Sequence, residues 1–191
     1  NAGVSPKTSY KERLGILHGE AERWRDVFEL NFFAALELGR AFAGALARAK
    51  GSVVNVTSIA IRHGAPTATI YGAAKGVIDT FTRGPAKELA PTIRVNAVAP
   101  GWIASSGLDS YGGAVQALIP QLKLHVPLRR LGVEAEVSAA IVFLLSPAAA
   151  FITGITLAID GGAPLGHDVF PLGDSSTSVP FDGFHRTEQR K

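Results

Sequence analysis

Three residues in this 191-residue sequence have types and spacing that can do chemistry together: Ser58, Tyr71 and Lys75. Tyr71 and Lys75 stand four apart in a helical pattern, so both side chains leave the same face. A free phenol titrates near pH ~10, too high for a base at neutrality. An ammonium fixed within about 4–6 Å favours the phenolate and lowers that value. The phenol can then give or take a proton at a carbonyl or alcohol oxygen. The Ser58 hydroxyl can hold the same oxygen by a hydrogen bond. None of the three carries hydride, so reversible carbonyl reduction on this trio needs a cofactor that does.

The elements that must position the trio alternate in type. Residues 4–20 are polar and read as a loop. Trp24, Phe28, Phe32, Ala35, Leu36, Leu38 and Phe42 recur at three- and four-residue steps, which predicts a helix over 24–49. Its face reads as core or subunit interface, and Lys50-Gly51 predicts its end, with the glycine at the left-handed position. Ser52–Thr57 is a β-branched run that predicts a buried strand, with Ser58 at its carboxyl end. A second helix is expected over 68–89. Gly72 and Gly76 lie inside it at a cost of about 1 kcal/mol each relative to Ala, so something should pack close to the backbone there.

A strand over 93–98 runs into Pro100-Gly101, and a polar stretch follows to residue 113. A short helix is expected near 114–124. Another spans 133–145, with Glu134 and Glu136 in its first turn, where the dipole favours acids. A strand over 155–159 ends at Asp160-Gly161-Gly162. The chain from 163 to 191 reads as an extended tail, disordered or draped over a neighbour. Strands alternating with helices predict an α/β fold with a parallel sheet, whose carboxyl edge is the ligand edge.

Composition excludes several classes. Hydrophobic residues are 47 % and charged residues 18 %, enough apolar material for a core. There is no Cys, hence no disulfide framework, thiolate metal site or Cys nucleophile. The five His (18, 63, 125, 167 and 185) have no ligand spacing, so no metal site is expected. No GxSxG elbow surrounds Ser58, which disfavours a Ser58/His63 hydrolase. The Asn55-Val56-Thr57 sequon falls on an expected buried strand. The net charge is +3 with dispersed Lys and Arg, so no nucleic-acid partner is expected. No apolar run approaches the ~18 residues of a membrane span. The chain holds no Met and starts at Asn1, which predicts a piece of a longer reading frame.

The order and spacing of these residues resemble the short-chain dehydrogenase/reductase family. That family's Ser, Tyr and Lys are spaced as here, with twelve residues between Ser58 and Tyr71 and three between Tyr71 and Lys75. Asn31, seven residues after Trp24, matches its catalytic Asn. Asn1-Ala2-Gly3 looks like the tail of its Asn-Asn-Ala-Gly turn. Asn55 in NVTS, the Pro100-Gly101-Trp102-Ile103 turn with Ser105, and ITGITLAIDGG match later strands and turns.

The resemblance implies the carboxyl-terminal part of a Rossmann-type doubly wound sheet, its strands five to seven, in a domain over 1–162 with a tail over 163–191. It implies Asn31, Ser58, Tyr71 and Lys75 as catalytic residues. Asn1, Ala2, Gly3, Tyr71, Lys75, Pro100, Gly101, Ile103 and Ser105 would contact NAD or NADP. The family's TGxxxGxG phosphate loop is absent from this sequence. The implied activity is hydride transfer on a hydrophobic alcohol, ketone, aldehyde or acyl thioester, in a cytoplasmic homodimer or homotetramer. SSGLDSY and PFDGFHR resemble members acting on citronellol/citronellal or trans-2-enoyl-CoA. The alternative is an inactive fragment or pseudoenzyme lacking the cofactor-binding half and serving as an assembly module.

Overall fold

The computed structural model describes residues 21–63, 69–105, 117–165 and 178–181. The expected loop over 4–20 and the Asn1-Ala2-Gly3 turn lie outside the described residues, as does most of the tail. The first helix is a compound one. An α-helix, α1 (Ala21–Phe28), passes through a π turn at Glu29–Phe33 into α2 (Ala34–Ala49). Periodicity at 3.6 residues could not show the π turn, because one inserted residue barely disturbs the apolar stripe. The helix ends on Lys50, which takes the left-handed conformation at φ 47°. The sequence assigned that role to Gly51. Gly51 is instead needed for space, since a Cβ there would sit 3.1 Å from the Leu46 side chain.

The main sheet is parallel. β1 (Ser52–Val56) pairs with β2 (Arg94–Pro100), and β2 pairs with β5 (Thr156–Ile159). A helix, α3 (Thr69–Glu88), makes the crossover from β1 to β2. Two further short strands, β3 (Ile103–Ala104) and β4 (Gly132–Val133), form a separate parallel pair that the sequence reading missed. Two residues per strand are too few for a period-2 pattern to register. A short helix, α4 (Ile119–Leu124), precedes β4, and α5 (Glu134–Leu145) leads to β5.

Alternation along the strands assigns the layers. Val53 and Val95 pack with Leu46, Ala86 and Leu89, so α2 and α3 cover one face. Val54, Val56, Val98, Leu157 and Ile159 pack with Val137, Ile141 and Leu144, so α5 covers the other. Both faces being covered explains why β2 is buried without a break from Val95 to Ala99.

α2 buries none of its residues, and Phe33, Leu38 and Phe42 are exposed. The 26-residue stretch Trp24–Ala49 is long and apolar enough to cross a membrane by length and composition alone. An exposed ion pair, Arg40 to Glu37 at 3.0 Å, interrupts that surface. Two short pieces of the expected tail are among the described residues. Ala163–Leu165 forms a 3-10 turn, and Ser178–Phe181 lies against its own chain.

Arg94 ties the two layers. Its guanidinium donates to the carbonyls of Leu144 at 2.8 Å and Ser146 at 3.2 Å, the unsatisfied end of α5. It also reaches the Leu145 and Ile152 carbonyls, both at 3.4 Å. Arg94→Ala is expected to cost about 2–4 kcal/mol in urea unfolding. Arg94→Lys should recover less than half of that, because an ammonium lacks the planar fork; full recovery would show that charge alone suffices.

Candidate active site

Ser58 follows β1 in extended backbone and caps the 3-10 turn Ile59–Ile61. Its Oγ accepts from the Ala60 N–H at 3.1 Å. A hydroxyl that accepts in this way still has its own proton to give, which suits a donor to a substrate oxygen. The turn is held from below: Ile59 clusters with Val126 and Ala163, beyond the ends of the other strands. Thr57 closes the strand end by donating to the Val98 carbonyl from both its N–H, at 2.8 Å, and its Oγ1, at 3.0 Å.

Tyr71 and Lys75 occupy the first two turns of α3, as the spacing required. Lys75 is 5 % exposed, and its Nζ donates to the Val56 carbonyl at 2.9 Å, two residues before Ser58. The same ammonium lies 5.8 Å from the centroid of the Tyr71 ring. Burial pushes the Lys75 ammonium down from the usual lysine range. No described carboxylate pairs with it. Its charge is therefore poorly screened and acts strongly on whatever lies beside it.

Gly72 explains how α3 meets the Ser58 turn. A Cβ at Gly72 would sit 3.2 Å from the Ala60 carbonyl. The expected close approach thus occurs at Gly72, while a Cβ at Gly76 would meet nothing within 4 Å. Asn55, between Val54 and Val56 on β1, fastens the next turns by donating to Thr82 Oγ1 at 3.0 Å. That bond also engages the amide of the formal sequon.

Asn31 sits inside the π turn and is 3 % exposed. Its Nδ2 donates to the Val27 carbonyl at 2.9 Å, so the side chain is turned to its own helix. The π turn bonds the Ala34 N–H to the Glu29 carbonyl, five residues back, and such a turn releases a backbone carbonyl from the α-helical ladder. The Asn31 segment packs on α3, with Phe32 edge-on to Phe81 at 5.6 Å.

Of the remaining expected residues, Pro100, Gly101, Ile103 and Ser105 stand at or after the carboxyl end of β2. Pro100 ends β2, and the Gly101 N–H donates to the Ile159 carbonyl at 2.9 Å. A Cβ at Gly101 would meet Asp160 Cα at 2.7 Å, so only glycine fits there. Ile103 lies in β3 and half-buried Ser105 follows it. Asn1, Ala2 and Gly3 lie outside the described residues. A cleft of about 460 Å³ lined by Trp24, Arg25, Phe28, Glu29, Phe33 and Ile70 contains none of the expected site residues.

The profile of a family described as enoyl-(acyl carrier protein) reductase matches residues 1–164. Protein FixR of Bradyrhizobium diazoefficiens is 40 % identical over 167 residues, covering 86 % of this chain and 58 % of the relative. A 2-(S)-hydroxypropyl-CoM dehydrogenase 3 of Xanthobacter autotrophicus is 36 % identical over 168 residues, covering 85 % and 63 %. Among solved structures, a 3-oxoacyl-[acyl-carrier protein] reductase with bound NAD from Brucella melitensis matches with a TM-score of 0.73 at 34 % identity, covering 85 % and 59 %. The chain thus spans about three-fifths of the length of these proteins. The family profile, these matches and the parallel sheet show that the chain belongs to the short-chain dehydrogenase/reductase family.

Proposed function

We propose that this protein catalyses reversible hydride transfer between NAD or NADP and an alcohol/carbonyl pair on a hydrophobic substrate, terpenoid or acyl, in the cytoplasm. The observation that carries the reading is the buried Lys75 ammonium, anchored on Val56 and lying beside the Tyr71 ring at the carboxyl end of β1. The bound NAD of the Brucella relative supports the cofactor class.

The donor set fits the nicotinamide end of such a cofactor. An ammonium has three donors and the Val56 bond uses one, so Lys75 can also reach ribose hydroxyls. Pro100, Gly101, Ile103 and Ser105 bring backbone and a hydroxyl to the same edge, suited to a carboxamide. When bound, the cofactor gives or takes the hydride. Tyr71 gives or takes the proton at the substrate oxygen, and Lys75 favours its phenolate. Ser58 donates to that oxygen and orients it. Exposed Trp102, beside Ile103, offers apolar surface to the rest of the substrate.

The exposed stripe of Phe33, Leu38 and Phe42, with open space over Gly76, supports a homodimer or homotetramer packed through these helices. Gly76→Leu should then reduce assembly in sedimentation velocity. Normal assembly of that variant would count against the interface.

Tyr71→Phe should lower kcat by roughly 10²–10⁴-fold, the usual worth of a positioned acid/base. Retained turnover would sink the reading. In the oxidation direction, activity should rise as the phenol ionises. Lys75→Met should move that alkaline limb of kcat/KM to higher pH, because the cation no longer favours the phenolate. A limb that stays in place would remove Lys75 from this role.

A further inference from the structure

Asp160 stands where β5 ends, and the proposed chemistry gives it no part. Its backbone is fixed on one side. The Gly101 N–H donates to the Ile159 carbonyl at 2.9 Å, and Gly101 approaches so closely that a Cβ there would meet Asp160 Cα at 2.7 Å. On the other side the chain is soft. Gly161 and Gly162 follow, both left-handed, at φ 62° and 83°. Two successive glycines have more backbone freedom to lose than any other pair. Half-buried Asp160 supplies what selects one conformation. Its Oδ1 accepts from the Gly162 N–H at 2.9 Å, and its carbonyl accepts from the Ala163 N–H at 3.2 Å. An Asp side chain bonded to the N–H two residues on closes a turn, and its charge strengthens that bond.

The conformation of this turn matters because of what packs on it. A Cβ at Gly161 would meet Val126 Cγ1 at 2.6 Å, and one at Gly162 would meet Pro127 at 3.1 Å. The Leu128 N–H donates to the Gly161 carbonyl at 3.3 Å. Ala163, Val126 and Ile59 form one buried cluster. Ile59 follows Ser58 directly and opens the 3-10 turn that Ser58 caps. It therefore rests on two supports, Val126 from the loop after α4 and Ala163 from the glycine turn. The loop is anchored beyond Val126. Arg130 forms a two-point pair with Glu136, Nη1 to Oε2 at 2.8 Å, and its Nε donates to Ser178 Oγ at 3.0 Å. The glycine turn has the Asp160 carboxylate in the corresponding place. A continuous run of contacts leads from that carboxylate, through Gly162, Ala163 and Val126, to Ile59 and Ser58.

We propose that Asp160 is a positioning residue for Ser58: by holding the Gly161–Gly162 turn in one conformation, its carboxylate keeps Ala163 and Val126 packed with Ile59 and so fixes where the Ser58 hydroxyl stands. Asp160 touches neither substrate nor cofactor in this role and acts through the cluster. The part that concerns turnover rests on the function proposed above; the coupling between the two turns does not.

The test uses the full-length enzyme with Asp160→Ala, Asp160→Asn and Asp160→Ser variants. Hydrogen exchange over residues 58–63, with no cofactor added, reads the coupling without activity. Asp160→Ala should speed exchange there roughly fivefold, the worth of one net hydrogen bond, and leave α2 unchanged. Asp160→Asn keeps an acceptor oxygen and should stay within about twofold of the parent. Asp160→Ser, whose hydroxyl closes the same turn more weakly, should fall between, and it carries the test if Asp160→Ala does not fold. Acceleration confined to residues 160–165 overturns the proposal, as does equal acceleration in α2. A double-mutant cycle, with linear secondary alcohols from three to eight carbons and NAD or NADP, reads the role toward Ser58. Asp160→Ala should lower kcat roughly tenfold, since a misplacement of about 1 Å can cost up to ~10²-fold. In the Ser58→Ala background the same change should cost less than about twofold, because it acts only through that hydroxyl. Losses that multiply would make Asp160 a structural residue and overturn the proposal. If the parent turns over none of these alcohols, the proposed function fails, and hydrogen exchange alone decides the coupling.

Discussion

The ammonium of Lys75 is buried with no carboxylate partner among the described residues and donates to the carbonyl of Val56 at the end of β1. Placing a charge there is unfavourable, and one neutral acceptor offsets only part of the desolvation. The position of that bond sets most of what surrounds it. It pins the second turn of α3 to the strand end and so fixes where Tyr71, one turn earlier, can stand. It also fixes the distance between α3 and the turn after β1, which is why the residue facing Ala60 is Gly72 and not a residue with a side chain. Thr57, between Val56 and Ser58, is tied twice to Val98, so the strand end cannot follow Lys75 if the side chain moves.

The rest of the fold keeps that strand end in place. α2 and α3 cover one face of the sheet and α5 the other, with Arg94 bonding β2 to the end of α5. Ile59, Val126 and Ala163 draw the Ser58 turn toward the chain that follows α4 and β5. Gly161 and Gly162 adopt left-handed conformations, at φ 62° and 83°, as the chain leaves β5. A Cβ at Gly161 would meet Val126 at 2.6 Å, so this turn belongs to the same packing. The site is built at the carboxyl edge because three parallel strands end there together.

Much of this was legible in the sequence, and what was not has physical reasons. β1, α3, β2, α5 and β5 each carry a long pattern or a clear terminator, and the structure shows all five. Ser58, Tyr71 and Lys75 could be found because i, i+4 spacing on a helix and a position after a strand are local rules. The π turn around Asn31 was not legible, because a one-residue insertion leaves the apolar stripe intact. The β3–β4 pair and the Arg130–Glu136 node depend on contacts between distant segments. Only Glu136 gave a signal, as an acid in the first turn of a helix, and that signal pointed to capping and not to a grip on the C-terminal segment. Lys50 takes the left-handed conformation that the ordinary rule gives to a glycine, while a Cβ at Gly51 would meet the Leu46 side chain at 3.1 Å.

On the proposed function, Lys75 is kept charged and buried for its effect on Tyr71, at the expense of stability. The most direct measurement is the unfolding free energy of the parent and Lys75→Met as pH is raised. Burial lowers the Lys75 value in the folded chain below the 10.5 of the unfolded one. Below the folded value the native state bears the full penalty. Between that value and 10.5 the native state loses its proton first, so the parent gains stability as pH rises. The prediction is a variant at least as stable as the parent at neutral pH, with the parent gaining on it through the alkaline range. A variant markedly less stable at neutrality, with no alkaline gain by the parent, would make Lys75 a structural residue and contradict the account.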